Sequence, residues 1–211
     1  MRRITLNIAF LLSPYGVALA VVLLLSCTLA ERKSKWKEYP GECKLPILNE
    51  ISTAGFSPEE KESFQAIDEL FAWYRAEELA GRQPSSLEVF PRMEGIVARG
   101  HSAIQPLREI IRMGNRHSMD QIWERPEISY YRMAALMLGR LKAAEAVDDL
   151  MIMATRRGLK ESRLRAPGVK ALGDIGDPRA IPVIEKALED HSEQVRQAAK
   201  RALEQLQRPQ R

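Results

Sequence analysis

The feature of this sequence that most restricts its fold is a repeat within its C-terminal half. The stretch LGRLKAAEAVDDL, residues 138–150, aligns with LGDIGDPRAIPVI, residues 172–184, at an offset of 34 residues. A second alignment, at an offset of 31 residues, places Val195 on Leu164 and Leu203 on Leu172. Self-similarity at a spacing of roughly 20–50 residues is typical of stacked supersecondary units. One helix pair cannot bury both of its faces, so the sequence predicts an all-α, short α-solenoid of stacked antiparallel helix pairs.

The residues between the repeated stretches agree with helix pairs. Gly176 suits the left-handed end of a helix. Asp177 is an N-cap residue, and Pro178 fits the first position of the next helix. We therefore predict that Asp177 and Pro178 hold structural positions of the repeat. Pro167 falls inside the next helix upstream, so that helix either bends there or begins near Ala166.

A helix start is also visible ahead of the repeats. Ser57, Pro58 and Glu60 form the pattern of a capping box with proline in the first turn. Apolar residues then follow at helical spacing: Phe64, Ile67, Leu70, Phe71 and Tyr74. Gly81 ends the pattern. We expect this apolar stripe to pack against a neighbouring helix.

The stretches VRQAAKRALEQL, residues 195–206, and ALGDIGDPRAIPVIEKAL, residues 171–188, carry a family resemblance. They resemble HEAT repeats, in the short form named after phycobilin-lyase-like proteins. The resemblance covers residues 130–206 and is weaker over residues 92–112. In that family an early arginine of one helix hydrogen-bonds along the stack. Arg165 and Arg196 stand at that place and Tyr131 stands there one copy upstream, so the resemblance implies structural arginines in an incomplete ladder.

The N-terminus predicts a hydrophobic helix over residues 1–30, acting as a signal peptide or membrane anchor. Arg2 and Arg3 precede 27 residues without a charge, from Ile4 to Ala30. As a helix this run measures about 40 Å, and a bilayer's hydrocarbon core is about 30 Å thick. The protein is therefore expected to be associated with a membrane.

Three kinds of processing remain open for this segment. Leu24-Leu25-Ser26-Cys27 resembles the lipobox of a bacterial lipoprotein, which makes Cys27 a lipidation candidate. The run is long for a cleaved signal, which favours an uncleaved signal anchor. Thr28-Leu29-Ala30 also resembles an ordinary cleavage site. The order of basic residues, apolar run and cysteine favours export of the repeat domain. The basic residues directly after the run leave open a single-pass anchor with a cytoplasmic repeat domain.

The rest of the chain divides into a tether and a repeat domain. Residues 31–56 contain closely spaced Pro40, Gly41 and Pro46 and are predicted to be a linker. Residues 57–208 form the predicted HEAT-like repeat domain, with the clearest repeats over residues 130–207. An insertion at residues 113–129 interrupts the repeat spacing. Trp123 and Arg125 lie in it and are our candidates for a partner contact, since solenoids often carry function on such loops.

No catalytic or metal-binding pattern stands out. The three histidines are far apart, the two cysteines make no CxxC, and no nucleophile-elbow or phosphate-loop motif occurs. The sequence therefore predicts no enzyme activity, no cofactor and no metal site. Its 32 basic and 28 acidic residues are interspersed. Nucleic-acid-binding proteins usually concentrate basic residues on one face, so a nucleic-acid partner is not expected.

The leading functional hypothesis is a membrane-tethered HEAT-repeat scaffold that mediates protein–protein interaction, with an unidentified protein partner. The alternative is a ligand-binding or lyase-like protein acting on a tetrapyrrole-type small molecule. That alternative is implied only by the resemblance to phycobilin-lyase-like repeats, and a shared fold does not by itself imply a shared function.

Overall fold

The computed structural model describes residue 48 and residues 50–116, 127–158 and 161–207. Within these ranges the secondary structure is helical and contains no strand. The α-helices are α1 Pro58–Leu79, α2 Ser86–Val97, α3 Ile104–Arg116, α4 Glu127–Arg140, α5 Val147–Ala154, α6 Ser162–Ile175, α7 Ile181–Ala187 and α8 Glu193–Gln207. Short 3-10 turns at Gly100–Ala103, Ala144–Ala146 and Pro178–Ala180 lead into α3, α5 and α7. The predicted all-α class is confirmed for this part of the chain.

The predicted signal or anchor segment, residues 1–30, lies outside the described residues, as does its lipidation candidate Cys27. Among the residues that are described, no helix is long and apolar enough to cross a membrane. Membrane association therefore stays a prediction from the sequence.

Helix α1 begins and packs as its sequence predicts. The Ser57 hydroxyl accepts a hydrogen bond from the Glu60 amide at 3.2 Å, and the Glu60 carboxylate accepts one from the Ser57 amide at 2.7 Å. These two bonds form the predicted capping box. The chain leaves the helix through Gly81 at a φ of 76°. Ile67 and Phe71 are fully buried, and the Phe71 ring stacks on Tyr130 of α4 with centroids 4.6 Å apart.

The repeats form two layers of helices. One layer contains α2, α4, α6 and α8, each packed on the next, and the other contains α3, α5 and α7. Arg140 of α4 pairs with Glu94 of α2 at 2.5 Å within the first layer. Helix α6 lies between α4 and α8 and also packs on α5. Helix α1 packs on α2 and α3 at the N-terminal end of the described residues.

The repeated Leu-Gly pair has a steric explanation. A Cβ added at Gly139 of α4 would lie 3.0 Å from the Cα of Ala171 in α6. A Cβ added at Gly173 of α6 would lie 2.6 Å from the Cα of Ala202 in α8. Gly139 and Gly173 are 34 residues apart, and Ala171 and Ala202 are 31 residues apart. The two sequence offsets therefore correspond to one packing contact used twice.

One boundary differs from the sequence prediction, and one alternative is decided. Leu48, Ile51 and Phe56 are at most 8% exposed and belong to the core, although they fall inside the predicted tether of residues 31–56. The folded part therefore starts before Ser57. Helix α6 begins at Ser162 and contains Pro167, so it does not start near Ala166.

The predicted insertion, residues 113–129, is shorter than its spacing suggests. Helix α3 continues to Arg116, and α4 starts at Glu127. The helices therefore take up both ends of this stretch. Residues 117–126, with the interaction candidates Trp123 and Arg125, lie outside the described residues.

Candidate functional site

Arg165 is a buried side chain of the repeats that makes four hydrogen bonds. Its side chain is 7% exposed and pairs with the Asp190 carboxylate through Nε at 2.7 Å and Nη2 at 2.8 Å. Its Nη1 donates to the carbonyl oxygens of Arg156 at 3.0 Å and Gly158 at 2.7 Å. Arg165 thus joins the loop ahead of α6 to the loop ahead of α8.

Arg196 repeats part of this arrangement in α8. Its Nη1 donates to the carbonyl oxygens of Asp190 at 2.7 Å and His191 at 3.1 Å, and its Nη2 contacts the Glu193 carboxylate. Arg165 and Arg196 therefore both bond the loop that precedes their own helix. The contacts agree with the structural role that the family resemblance implies for these residues, a role that stays a prediction until it is tested.

A third arginine, Arg156, makes bonds of the same kind from the loop between α5 and α6. Its Nε pairs with Glu161 at 2.6 Å, and its Nη1 donates to the carbonyl oxygen of Gly114 at 2.7 Å. Gly114 lies near the end of α3, so Arg156 connects the loop after α5 back to the preceding pair. We call Arg156, Arg165 and Arg196 the arginine ladder.

Tyr131 has the alignment position of Arg165 one repeat upstream, and its ring packs beside the same glycine. The Tyr131 ring fills the space beside Gly114, where an added Cβ would approach the ring to 2.7 Å. Arg156 reaches the same glycine from the following loop. At the offset of 34 residues Arg156 aligns with the acidic Asp190, so no repeat alignment points to it, and sequence reasoning missed it.

The ladder also sets the ionisation of Asp190. Partial burial raises the pKa of this carboxyl group, but hydrogen bonds from the Arg165 guanidinium and the Ser192 amide outweigh that effect. The pKa of Asp190 in the folded protein is therefore below its ordinary value. A carboxylate with a depressed folded-state pKa stabilises the fold at pH values above its unfolded pKa of about 3.9.

This shift predicts a pH-dependent effect of the Asp190→Asn substitution. Above about pH 4 we expect the wild-type chain to be more stable than the variant. The difference should shrink as the pH falls through the folded-state pKa, because both forms then lack the charge. Urea titrations of both proteins at a series of pH values measure this. In an Arg165→Met background the pH-dependent difference should largely disappear, and its persistence there would contradict the assignment to Arg165.

The other named repeat positions lie at the turn before α7. The Asp177 carboxylate accepts a hydrogen bond from the Arg179 amide at 2.9 Å, and Pro178 occupies the first position of the 3-10 turn. Hydrogen bonds from the Arg179 side chain and amide lower the pKa of Asp177. Gly176 has the left-handed φ of 83° that ends α6. This turn therefore has the geometry that its sequence predicts.

A concavity of the repeats lies on the layer of α4, α6 and α8. This repeat groove has a volume of about 680 Å³. Its apolar floor consists of Leu136, Ala166, Pro167, Ala198 and Ala202, and its basic side chains are Arg132, Arg163, Lys170 and Arg201. Leu136, Lys170 and Arg201 occupy the same place in successive repeats, since they are 34 and 31 residues apart.

A smaller pocket continues this surface towards α2. It has a volume of about 190 Å³ and shares Arg132 and Leu136 with the repeat groove. Val89 and Phe90 of α2 lie on its other side, and Phe90 is 47% exposed.

A further groove, of about 640 Å³, lies between the segment before α1 and α3. Its charges alternate, with Glu50 and Glu109 beside Arg108 and Arg116. Arg108 also bonds Asp149 of α5 at 3.0 Å, where Arg112 contributes a second bond at 2.9 Å. These arginines hold α3 against α5, which is sufficient to explain their presence.

The described residues contain no cluster of three or more metal-binding side chains. The Nδ1 atom of His101 lies 3.7 Å from the Oε1 atom of Glu145, and both side chains are exposed. The interaction candidates Trp123 and Arg125 and the lipidation candidate Cys27 are outside the described part, so nothing here places them beside either groove.

The chain was compared with curated proteins, solved structures and protein-family models. No curated protein and no solved structure is detectably similar to the chain. Residues 119–204 match the model of a family described as HEAT repeats. The match runs from before α4 into α8 and includes the arginine ladder. Together with the repeated glycine contact, it supports a HEAT-repeat protein.

Proposed function

We propose that this chain is a membrane-tethered scaffold that binds another protein through its HEAT repeats and has no catalytic activity of its own. The observation that carries the proposal is the repeat groove, an open concavity at the edge of the core. HEAT repeats commonly serve as protein-interaction scaffolds, which supports the proposed scaffold function. The groove combines an apolar floor with charged edges, as protein interfaces do.

The membrane part of the proposal rests on the sequence. Two arginines followed by 27 uncharged residues are the pattern of a signal or anchor. We propose that the repeat domain is exported and stays attached through lipidated Cys27 or through an uncleaved anchor. Mass spectrometry of the N-terminus, after separation of membrane and soluble fractions, tests this. A diacylglyceryl Cys27 identifies a lipoprotein, an intact start identifies an anchor, and recovery only in the soluble fraction would contradict tethering.

The scaffold function is tested by chemical cross-linking in cells that carry the epitope-tagged full chain, followed by purification from membranes. We expect the same protein to be cross-linked in independent repeats of the experiment, through peptides of the repeat domain. A tagged chain truncated after Ala30 is the control for contacts made by the N-terminus alone. Absence of any reproducible partner, or a visible absorbance band in the purified protein, would count against the scaffold and favour a ligand carrier.

A further inference from the structure

Resting on the proposed scaffold function, we propose that the repeat groove binds an acidic, amphipathic helical segment of the partner protein. The partner would insert leucine-like side chains between α4, α6 and α8 and place aspartate or glutamate beside the basic side chains.

The charge of the groove is mainly positive once its internal ion pairs are accounted for. Its carboxylates are Asp174 and Glu193. Asp174 pairs with Lys170 at 2.5 Å, and Glu193 bonds Arg196 and Gln197. Both negative groups are therefore engaged inside the repeat domain.

Two basic side chains of the groove differ from these carboxylates because they have no partner among the described residues. Arg132 and Arg201 are exposed, and within the described part of the chain neither forms an ion pair or hydrogen bond. An exposed arginine beside an apolar floor provides a fork of donors that matches a carboxylate. The two lie on α4 and α8, at opposite sides of the groove. An acidic partner would therefore be contacted from both sides.

The floor indicates a peptide rather than a nucleic acid or a phosphate. It consists of a leucine, a proline and alanines and contains no aromatic side chain on which a base could stack. Small side chains at Ala166 and Ala198 leave room for a helix to approach closely. Phe90 continues the apolar surface beyond Leu136. Recognition of a helix by a groove uses apolar anchors at i, i+3, i+4 and i+7, which a surface of this kind accommodates.

The test uses a displayed library of short helical peptides and the purified full chain in a mild detergent. Each peptide has leucine at i, i+3, i+4 and i+7, with aspartate, glutamate, lysine and serine randomised at the flanking positions. We expect selected peptides to be enriched in acidic residues and to bind more weakly as salt is raised. Enrichment of lysine, or no binding by any peptide, would overturn the proposal.

Two matched variants locate the binding site. Arg132→Glu/Arg201→Glu reverses the charges of the groove, and we expect the selected acidic peptides to bind it about tenfold more weakly or worse. Lys61→Glu/Arg99→Glu makes the same change in net charge at two exposed basic side chains that do not line the groove. Binding by this control should stay within about twofold of wild type. Equal losses in both variants would overturn the proposal, because net charge alone would then explain binding.

Other outcomes separate this inference from the scaffold function. If the cross-linked protein is captured equally well by the groove variant, the scaffold function stands and the groove proposal fails. If acidic peptides bind in the groove but no partner is captured, the groove proposal stands and the scaffold function fails. A single-stranded oligonucleotide that binds the groove more tightly than every selected peptide would overturn the peptide proposal in favour of a nucleic acid. Circular dichroism of both variants should match wild type.

Discussion

The Arg165→Ala variant should lose about 3–5 kcal/mol of its free energy of unfolding, the range measured when one partner of a buried ion pair is removed. The substitution takes away four hydrogen bonds at once. It leaves the Asp190 carboxylate, whose side chain is only 14% exposed, without its main counter-charge. It also deprives the Arg156 and Gly158 carbonyl groups of a donor. A urea titration of the full chain, followed by circular dichroism, measures the loss.

A double-mutant cycle separates the ion pair from the carbonyl contacts. If the pair dominates, Arg165→Ala/Asp190→Ala should be more stable than the sum of the two single losses suggests. Arg179→Ala is the matched control, since Arg179 bonds Asp177 on the surface and its loss should cost far less. A decrease below about 0.5 kcal/mol for Arg165→Ala would contradict the structural role of the ladder.

The second large effect is expected at the repeated glycine. Gly173→Ala should lower the free energy of unfolding by about 2 kcal/mol, within the range for overpacked cores. The added methyl group would lie 2.4 Å from the Cβ and 2.6 Å from the Cα of Ala202. The second of these is a backbone atom, so α6 and α8 would have to move apart. The same urea titration measures the change.

Gly95 provides the control for this prediction within the same protein. It lies in α2, is exposed, and an added Cβ there would have no neighbour within 4 Å. Gly95→Ala should raise the free energy of unfolding by about 0.5–1 kcal/mol, because alanine is the better helix former. Adding Ala202→Gly to Gly173→Ala should recover part of the loss. Equal changes for Gly95→Ala and Gly173→Ala would show that helix propensity, rather than close packing, decides the outcome.

The sequence predicted the features that short-range chemistry controls. The capping box of α1, the left-handed Gly176 and the turn at Asp177 and Pro178 depend on residues within a few positions of each other. The helix pairs followed from the repeat spacing. Each of these rests on local backbone geometry or on a period, which a single sequence displays directly.

The features that the sequence did not predict depend on contacts that no local pattern encodes. Arg156 reaches Gly114 from a different repeat, and the repeat alignment sets it against an aspartate. Leu48, Ile51 and Phe56 join the core from a stretch rich in proline and glycine that has no helical period. To predict the repeat groove, one would have had to know which side chains of α4, α6 and α8 face one another. Trp123 and Arg125 were chosen for their position in an insertion, and their role stays a prediction.

The buried residues before α1 have a mechanical consequence. Leu48, Ile51 and Phe56 are held by side-chain burial and short turns rather than by a helix that continues into α1. The Phe56 ring meets Phe64 of α1 edge-on at 5.8 Å. If the chain is pulled from its N-terminal side, these are the first buried side chains of the described residues that the force reaches. We expect this segment to detach before any helix of the stack unfolds. The contacts of the arginine ladder would then stay intact while the segment extends.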